Sequence, residues 1–163
     1  LRRVVPVLLA AVAAAGGVTS EGAGMLLVSP EGDGWSDEGD ADGPVLVCRD
    51  LAGERIGARA VELEPPAELD RLDRTAQAGR LAAFLDELIA EGYDSVSRMT
   101  GPYYYGDEGP LVVSREFYAD GCLVREYLVW DSERLLNLTL WCRAELSDAL
   151  AGEMDALLAG FRW

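Results

Sequence analysis

LVVSREFYADGCLVREYLVWDSERLLNLTLWC, residues Leu111 to Cys142, is the stretch whose reading decides the fold. It reads as three consecutive strands joined by two tight turns, Ala119-Asp120-Gly121 and Asp131-Ser132-Glu133. β-Branched and aromatic residues fill the runs, and the turns carry Asp, Gly and Ser, which tolerate the dihedrals that a tight reversal needs. The last run, Leu135 to Arg143, alternates. Leu136, Leu138, Leu140 and Cys142 point one way; Leu135, Asn137, Thr139 and Trp141 point the other. Three antiparallel strands form a sheet that has to be covered on at least one face, so the flanking elements are read as its cover.

On the C-terminal side, Ser147 to Gly160 reads as a helix with Ser147 as N-cap and Asp148 near the positive dipole end. Its stripe is Leu146, Leu150, Met154, Leu157/Leu158 and Phe161. On the N-terminal side, Gly109-Pro110 opens the meander, and Tyr103, Tyr104 and Tyr105 lie between the breakers Gly101-Pro102 and Gly106. A long helix is expected over about Glu68 to Glu91, after Pro65-Pro66 and before Gly92 in a left-handed stop. Leu69, Leu72, Ala76, Gly79/Arg80, Ala83/Phe84 and Leu88 recur at three and four, with Leu81, Leu85 and Ile89 widening the stripe. Val45 to Arg49 and Arg55 to Leu63 read as a hairpin turning at Gly53, and Met25 to Ser29 as a first strand. Strands and helices are grouped rather than alternating. The expected class is α+β, a mainly antiparallel sheet with two main helices as covers.

The start of the chain is different in kind. Leu1 to Ala15, LRRVVPVLLAAVAAA, has two arginines, a short apolar run and small residues, the layout of a secretory signal with cleavage near Ala15. The run is shorter than the roughly 20 residues of a transmembrane helix. The expected division is therefore residues 1–24 as leader and flexible start, and residues 25–163 as one domain. Export to the secreted or envelope space follows as the expected location, with the cytoplasm as the alternative.

Charge and composition exclude more than they assign. Of 163 residues, half are apolar, and the net charge is −15 with a pI of about 4.2. Nucleic acid and anionic membrane are poor partners for such a surface. The chain has no His, and all 14 basic residues are Arg. That removes His-based dyads and triads, His metal sites, Schiff-base lysines and the P-loop lysine. No catalytic residue and no cofactor is assigned.

The candidates that remain are few. Glu38-Gly39-Asp40-Ala41-Asp42-Gly43 echoes the start of a calcium loop, but the position of its bidentate Glu is Arg49, so the stretch Ser36 to Gly43 is read as a solvated acidic loop. With a turn centred on Ser132, Cys122 and Cys142 lie opposite one another, close enough for a disulfide, with Cys48 left over. Three small buried thiols are the alternative. Tyr103, Tyr104, Tyr105, Trp130 and Trp141 form a candidate partner-binding surface, wherever they face solvent.

The order of elements resembles the PsbP-like and DcrB-like superfamily, including the LpqN type. The residues that carry the likeness are a strand running into Pro30-Glu31-Gly32-Asp33-Gly34-Trp35, then hairpin, long helix, Gly-centred meander, and a final helix ending in Gly160-Phe161-Arg162. The resemblance implies an α/β/α sandwich around an antiparallel sheet and non-enzymatic work, since its members serve as photosystem assembly subunits, a Ran-binding factor, envelope lipoproteins and secretion adaptors. It transfers no catalytic residue, and this sequence lacks the lipid-anchoring Cys of the lipoprotein members. The functional expectation is a protein-binding or adaptor module. A cytoplasmic chaperone or immunity-type protein for a basic effector is the alternative, ahead of a carboxylate-based enzyme.

Overall fold

The computed structural model describes residues 17–163, so the leader-like segment and its Ala15 site lie outside the described residues. The meander forms as its alternation requires: β7 (Leu111–Ala119), β8 (Cys122–Trp130) and β9 (Leu135–Arg143) pair antiparallel. The hairpin β4 (Val45–Asp50) and β5 (Gly53–Leu63) lies along the free edge of β9, antiparallel through β5. Two further strands complete a seven-stranded sheet of order β3-β4-β5-β9-β8-β7-β6, with β3 at Trp35–Asp37 and β6 at Val96–Tyr105. A separate hairpin, β1 (Thr19–Gly22) and β2 (Met25–Val28), turns at Ala23-Gly24, both with positive φ. The sheet is antiparallel and the class is α+β, as the sequence implied.

Three of these strands lie where the sequence reads as leader, loop or turn. Thr19–Gly22 lies in the expected flexible start, yet it contains the buried Ser20, whose Oγ accepts the Val45 N–H at 3.0 Å and so anchors β1 through a polar side chain. Trp35–Asp37 runs into the expected acidic loop Ser36 to Gly43, and Val96–Tyr105 carries through the breaker Gly101-Pro102 to the three tyrosines. β3 and β6 are edge strands with exposed or half-exposed residues on both faces, and such strands carry no alternation.

The long helix, α1, spans Arg74–Gly92 rather than starting at Glu68. Glu68 has φ 63°, and Leu69–Arg71 form a separate 3-10 turn before Asp73 caps the helix by accepting the Ala76 N–H at 2.9 Å. Gly92 is the last helical residue with no left-handed stop; the chain leaves through an extended Tyr93. The buried stripe is Leu81, Leu85 and Ile89, the residues expected only to widen it, together with Ala82, while Leu72 is exposed. The last helix, α2, spans Ser147–Gly160 as expected. Ser147 is already helical and Leu146 holds the cap position, because a 3-10 turn at Ala144–Leu146 leads directly in.

The two covers sit diagonally. On one face, α1 packs over β6, β7 and β8 through Leu81 and Leu85 against Val113, Phe117 and Leu128. On the other face, α2 and β2 pack over β9 and β5 through Met154, Leu157 and Leu27 against Ala58, Leu138 and Leu140. Each helix therefore leaves half of its own face without a helical cover, and one of those halves forms the candidate site.

The Cys pairing expected from the turn does not hold in this register. Leu123 faces Cys142, and Cys122 faces Arg143. A shift of one residue moves a side chain to the other face of a sheet. Cys142 packs under α2, Cys122 packs against the α1 side, and all three cysteines are free.

Candidate functional site

The half-face beside α2 is a cleft of about 700 Å³. Its floor is laid by strand register: Val112 faces Val129 and Ser114 faces Tyr127, with Leu138 beyond Tyr127 on β9. One wall comes from β6. That strand loses register with β7 at two irregularities between Ser97 and Tyr103, then re-pairs Tyr103 with Ser114 and Tyr105 with Val112. Pro102, which has no N–H to give, is suited to such an edge position. Pairing puts Tyr103 and Tyr105 on the cleft side and Tyr104 on the opposite face.

The other wall is the C-terminal end of α2 and the tail behind it, with Leu158, Phe161 and Trp163. Phe161 and Trp163 stack with centroids 5.3 Å apart. The tail is pinned by β2, since Leu26 and Arg162 exchange two backbone hydrogen bonds of 2.9 Å. Gly160 makes that approach possible: a Cβ there would stand 2.5 Å from the Val28 carbonyl oxygen.

Charge is confined to the rim. Arg125 donates Nε–H to Glu116 at 2.6 Å and Nη1–H to Asp155 at 2.9 Å, so one guanidinium bridges both carboxylates and leaves one negative charge uncompensated. Arg162, on the far wall, gives Nη1–H to the Phe161 carbonyl at 2.6 Å and also to that of Ala159. Inside, Ser114 and Tyr127 are only 4% and 8% exposed, and neither hydroxyl bonds to a described residue. Burial pushes the Tyr127 phenol up to about 12, so it stays protonated and able to donate at neutral pH. This is an apolar, aromatic trough with two hydroxyls at its base and an ion-locked rim.

The five aromatics singled out in the sequence divide. Tyr103, Tyr104 and Tyr105 are exposed by about half (46%, 50% and 51%). Trp130 is 5% exposed and belongs to the core under α1, so it presents no surface. Trp141 is half-buried on the side away from the cleft, its ring lying over Gly57. Tyr127, Phe161 and Trp163 complete the site and were not foreseen. Leu158, which the sequence places in the stripe of α2 beside Leu157, is exposed and lines the cleft instead.

Two other polar groupings are internally satisfied. In the calcium-like loop Glu38 pairs with Arg49, and Asp40 Oδ1 accepts the Asp42 N–H at 2.9 Å. Among the described residues no group of three His, Cys, Asp or Glu is placed to hold a metal. On the α1 side, the buried Glu126 accepts from Tyr93 at 2.7 Å, Asn137 at 2.7 Å and Thr139 at 3.0 Å. Burial raises its carboxyl above the usual range against these three bonds.

No family model and no curated protein matches the sequence. Two of the solved structures that resemble the fold illustrate the likeness. The solution structure of cyanobacterial PsbP (CyanoP) from Synechocystis sp. PCC 6803 is 13% identical, covers 91% of this chain and 92% of its own, and superposes with a TM-score of 0.56. The crystal structure of LpqN, described as involved in cell envelope biogenesis of Mycobacterium tuberculosis, is 11% identical over 90% and 89%, with a TM-score of 0.48.

Proposed function

We propose, on the premise that this chain carries the PsbP-like fold, that it is a non-enzymatic binding or adaptor protein whose partner, a protein, docks into the cleft between β6 and the end of α2. The observation that carries this reading is the cleft's make-up. Aromatic walls with half-exposed tyrosines supply large contact area at low entropic cost, the profile of an interface rather than of a reaction centre. The carboxylates at its rim share one guanidinium, which leaves no acid and base of separated character to work on a substrate. For location we carry forward export, on the composition of Leu1 to Ala15.

The test is site-specific photocrosslinking in the native cell. A crosslinking residue at Tyr105 or at Leu158 is expected to give the same discrete adduct, and one at Ser36 on the opposite sheet edge none. Adducts of equal strength at all three positions, or at Ser36 alone, defeat the reading. Fractionation with intact-mass measurement tests export; a full-length chain confined to the cytosol refutes that part. A second reading, a cytoplasmic chaperone for a basic effector, is favoured by the excess of 29 acidic over 14 basic residues. It predicts an association that weakens steeply with salt.

A further inference from the structure

The floor of the cleft discriminates between apolar occupants. Ser114 and Tyr127 are directly opposite one another across β7 and β8, their side chains are more than nine-tenths buried, and they line the trough. Each hydroxyl can both donate and accept, and neither is used by a described residue. An alkyl chain laid over them leaves both hydroxyls unsatisfied in an apolar setting, which costs affinity. A helix does the same, because its main-chain groups are already bonded within the helix and only its side chains reach the floor. An extended main chain is different: it carries free C=O and N–H groups at short spacing between apolar side chains.

We propose that the cleft takes a non-helical apolar peptide segment, whose main-chain amides bond the Ser114 and Tyr127 hydroxyls while its side chains fill the walls made by Tyr103, Tyr105, Leu158 and Phe161. This rests on the reading of the cleft as the partner's seat and specifies what the partner presents there. The ion-locked rim adds a condition. Arg125 is outnumbered by Glu116 and Asp155, which leaves that side of the rim negative, so a charge flanking the segment there is basic.

The probe is the capped peptide acetyl-Lys-Leu-Val-Leu-Val-Lys-amide, and binding is followed by chemical-shift changes of Tyr103, Tyr105 and Trp163. Three comparisons accompany it: the same sequence with its central amides replaced by esters, the alcohol dodecanol, and the variants Ser114→Ala and Tyr127→Phe. Each variant is expected to weaken the peptide roughly five- to tenfold, one neutral hydrogen bond apiece, and to tighten dodecanol, which then covers one unsatisfied hydroxyl fewer. The ester analogue, tested on the unaltered protein, is expected to lose affinity as well. Unchanged peptide affinity in both variants, equal binding of ester and amide, or dodecanol bound more tightly than the peptide each overturn the proposal. Crosslinking at Tyr105 and Leu158 is independent of these results, so a partner can be shown to dock in the cleft even where the peptide fails.

Discussion

Glu126 sets burial against three hydrogen bonds, and Glu126→Gln tests that burial prevails. The residue is 6% exposed. Burial raises its pKa, while hydrogen bonds from Asn137, Tyr93 and Thr139 lower it, and burial prevails. The unfolded chain releases this proton near pH 4.5, the folded chain at a higher pH. Stability from this group is therefore complete below about pH 4.5 and falls as pH rises toward the native value, by about 1.4 kcal/mol per pKa unit. Glutamine has no proton to release, so it removes the slope.

The substitution also fits the site. Asn137 and Thr139 both donate to the same oxygen, Oε2. The Gln oxygen can take that place while its amide faces Tyr93, whose hydroxyl turns from donor to acceptor. One donor loses its bond, at a cost of about 1 kcal/mol. The variant is expected to be slightly less stable than the parent at pH 5, a start chosen above the pI of about 4.2, and to gain on it as pH rises until the folded carboxyl has ionised. Glu126→Ala, which leaves three donors without an acceptor, should be destabilised throughout by several times that amount. The assay is urea unfolding followed by tryptophan fluorescence across this range. A stability gap between Gln and Glu that is flat, or that moves against the variant as pH rises, would falsify the argument and show that the three hydrogen bonds outweigh burial.

Four further outcomes test the fold. Gly57→Ala places a Cβ 2.3 Å from the Trp141 ring, so the ring has to swing off the sheet; the expected loss is about 1–3 kcal/mol with a shift in tryptophan emission, and no shift refutes the contact. Asp73→Ala removes the cap on Ala76 and should cost about 1 kcal/mol by denaturant titration, whereas the same change at Asp70, ahead of the helix, should cost little. Leu85→Ala empties a fully buried site under α1 and should cost about 2–5 kcal/mol; a value within error of zero refutes the assigned stripe. Burial pushes the Cys142 thiol up to about 11, so alkylation of the native protein at pH 7 should spare it until unfolding. Reduced and non-reduced intact masses should also coincide.

What the sequence disclosed was what local pattern determines. The meander from Leu111 to Arg143 was legible because both faces of its strands are buried or half-buried, so β-branched and aromatic runs end sharply at turn residues. The error over the cysteines has a local cause too. The turn is the four-residue Asp131–Arg134, closed by Asp131 N–H to the Arg134 carbonyl and by Asp131 Oδ1 accepting from Glu133 and Arg134. Its centre lies between Ser132 and Glu133, half a residue beyond the assumed one. That half residue moves each partner by a full position and sends Cys122 to the other face. The edge strands β3 and β6 were not legible, because exposure on both faces leaves no alternation, and β1 was missed because its buried residue is a serine.

The cleft was hidden for a different reason. An amphipathic stripe states that a helix is covered, not which half of a sheet it covers. The choice here depends on a tail fixed by Leu26 and Arg162 and on the close approach of Gly160 to Val28, contacts between residues more than 130 positions apart. The residues that line the site are therefore an ordinary strand aromatic, Tyr127, an off-stripe leucine, Leu158, and two tail aromatics, none unusual where it stands. The same logic explains why Tyr103 and Tyr105 matter while Trp130 does not. All three are large aromatics on strands, but α1 closes over the face that Trp130 shares with Leu128, and no helix closes over the face that Tyr103 shares with Ser114. Exposure of an aromatic in this fold is decided by the diagonal of the two helices, and a variant that moved α2 toward β7 would bury the tyrosines without changing a residue of the cleft.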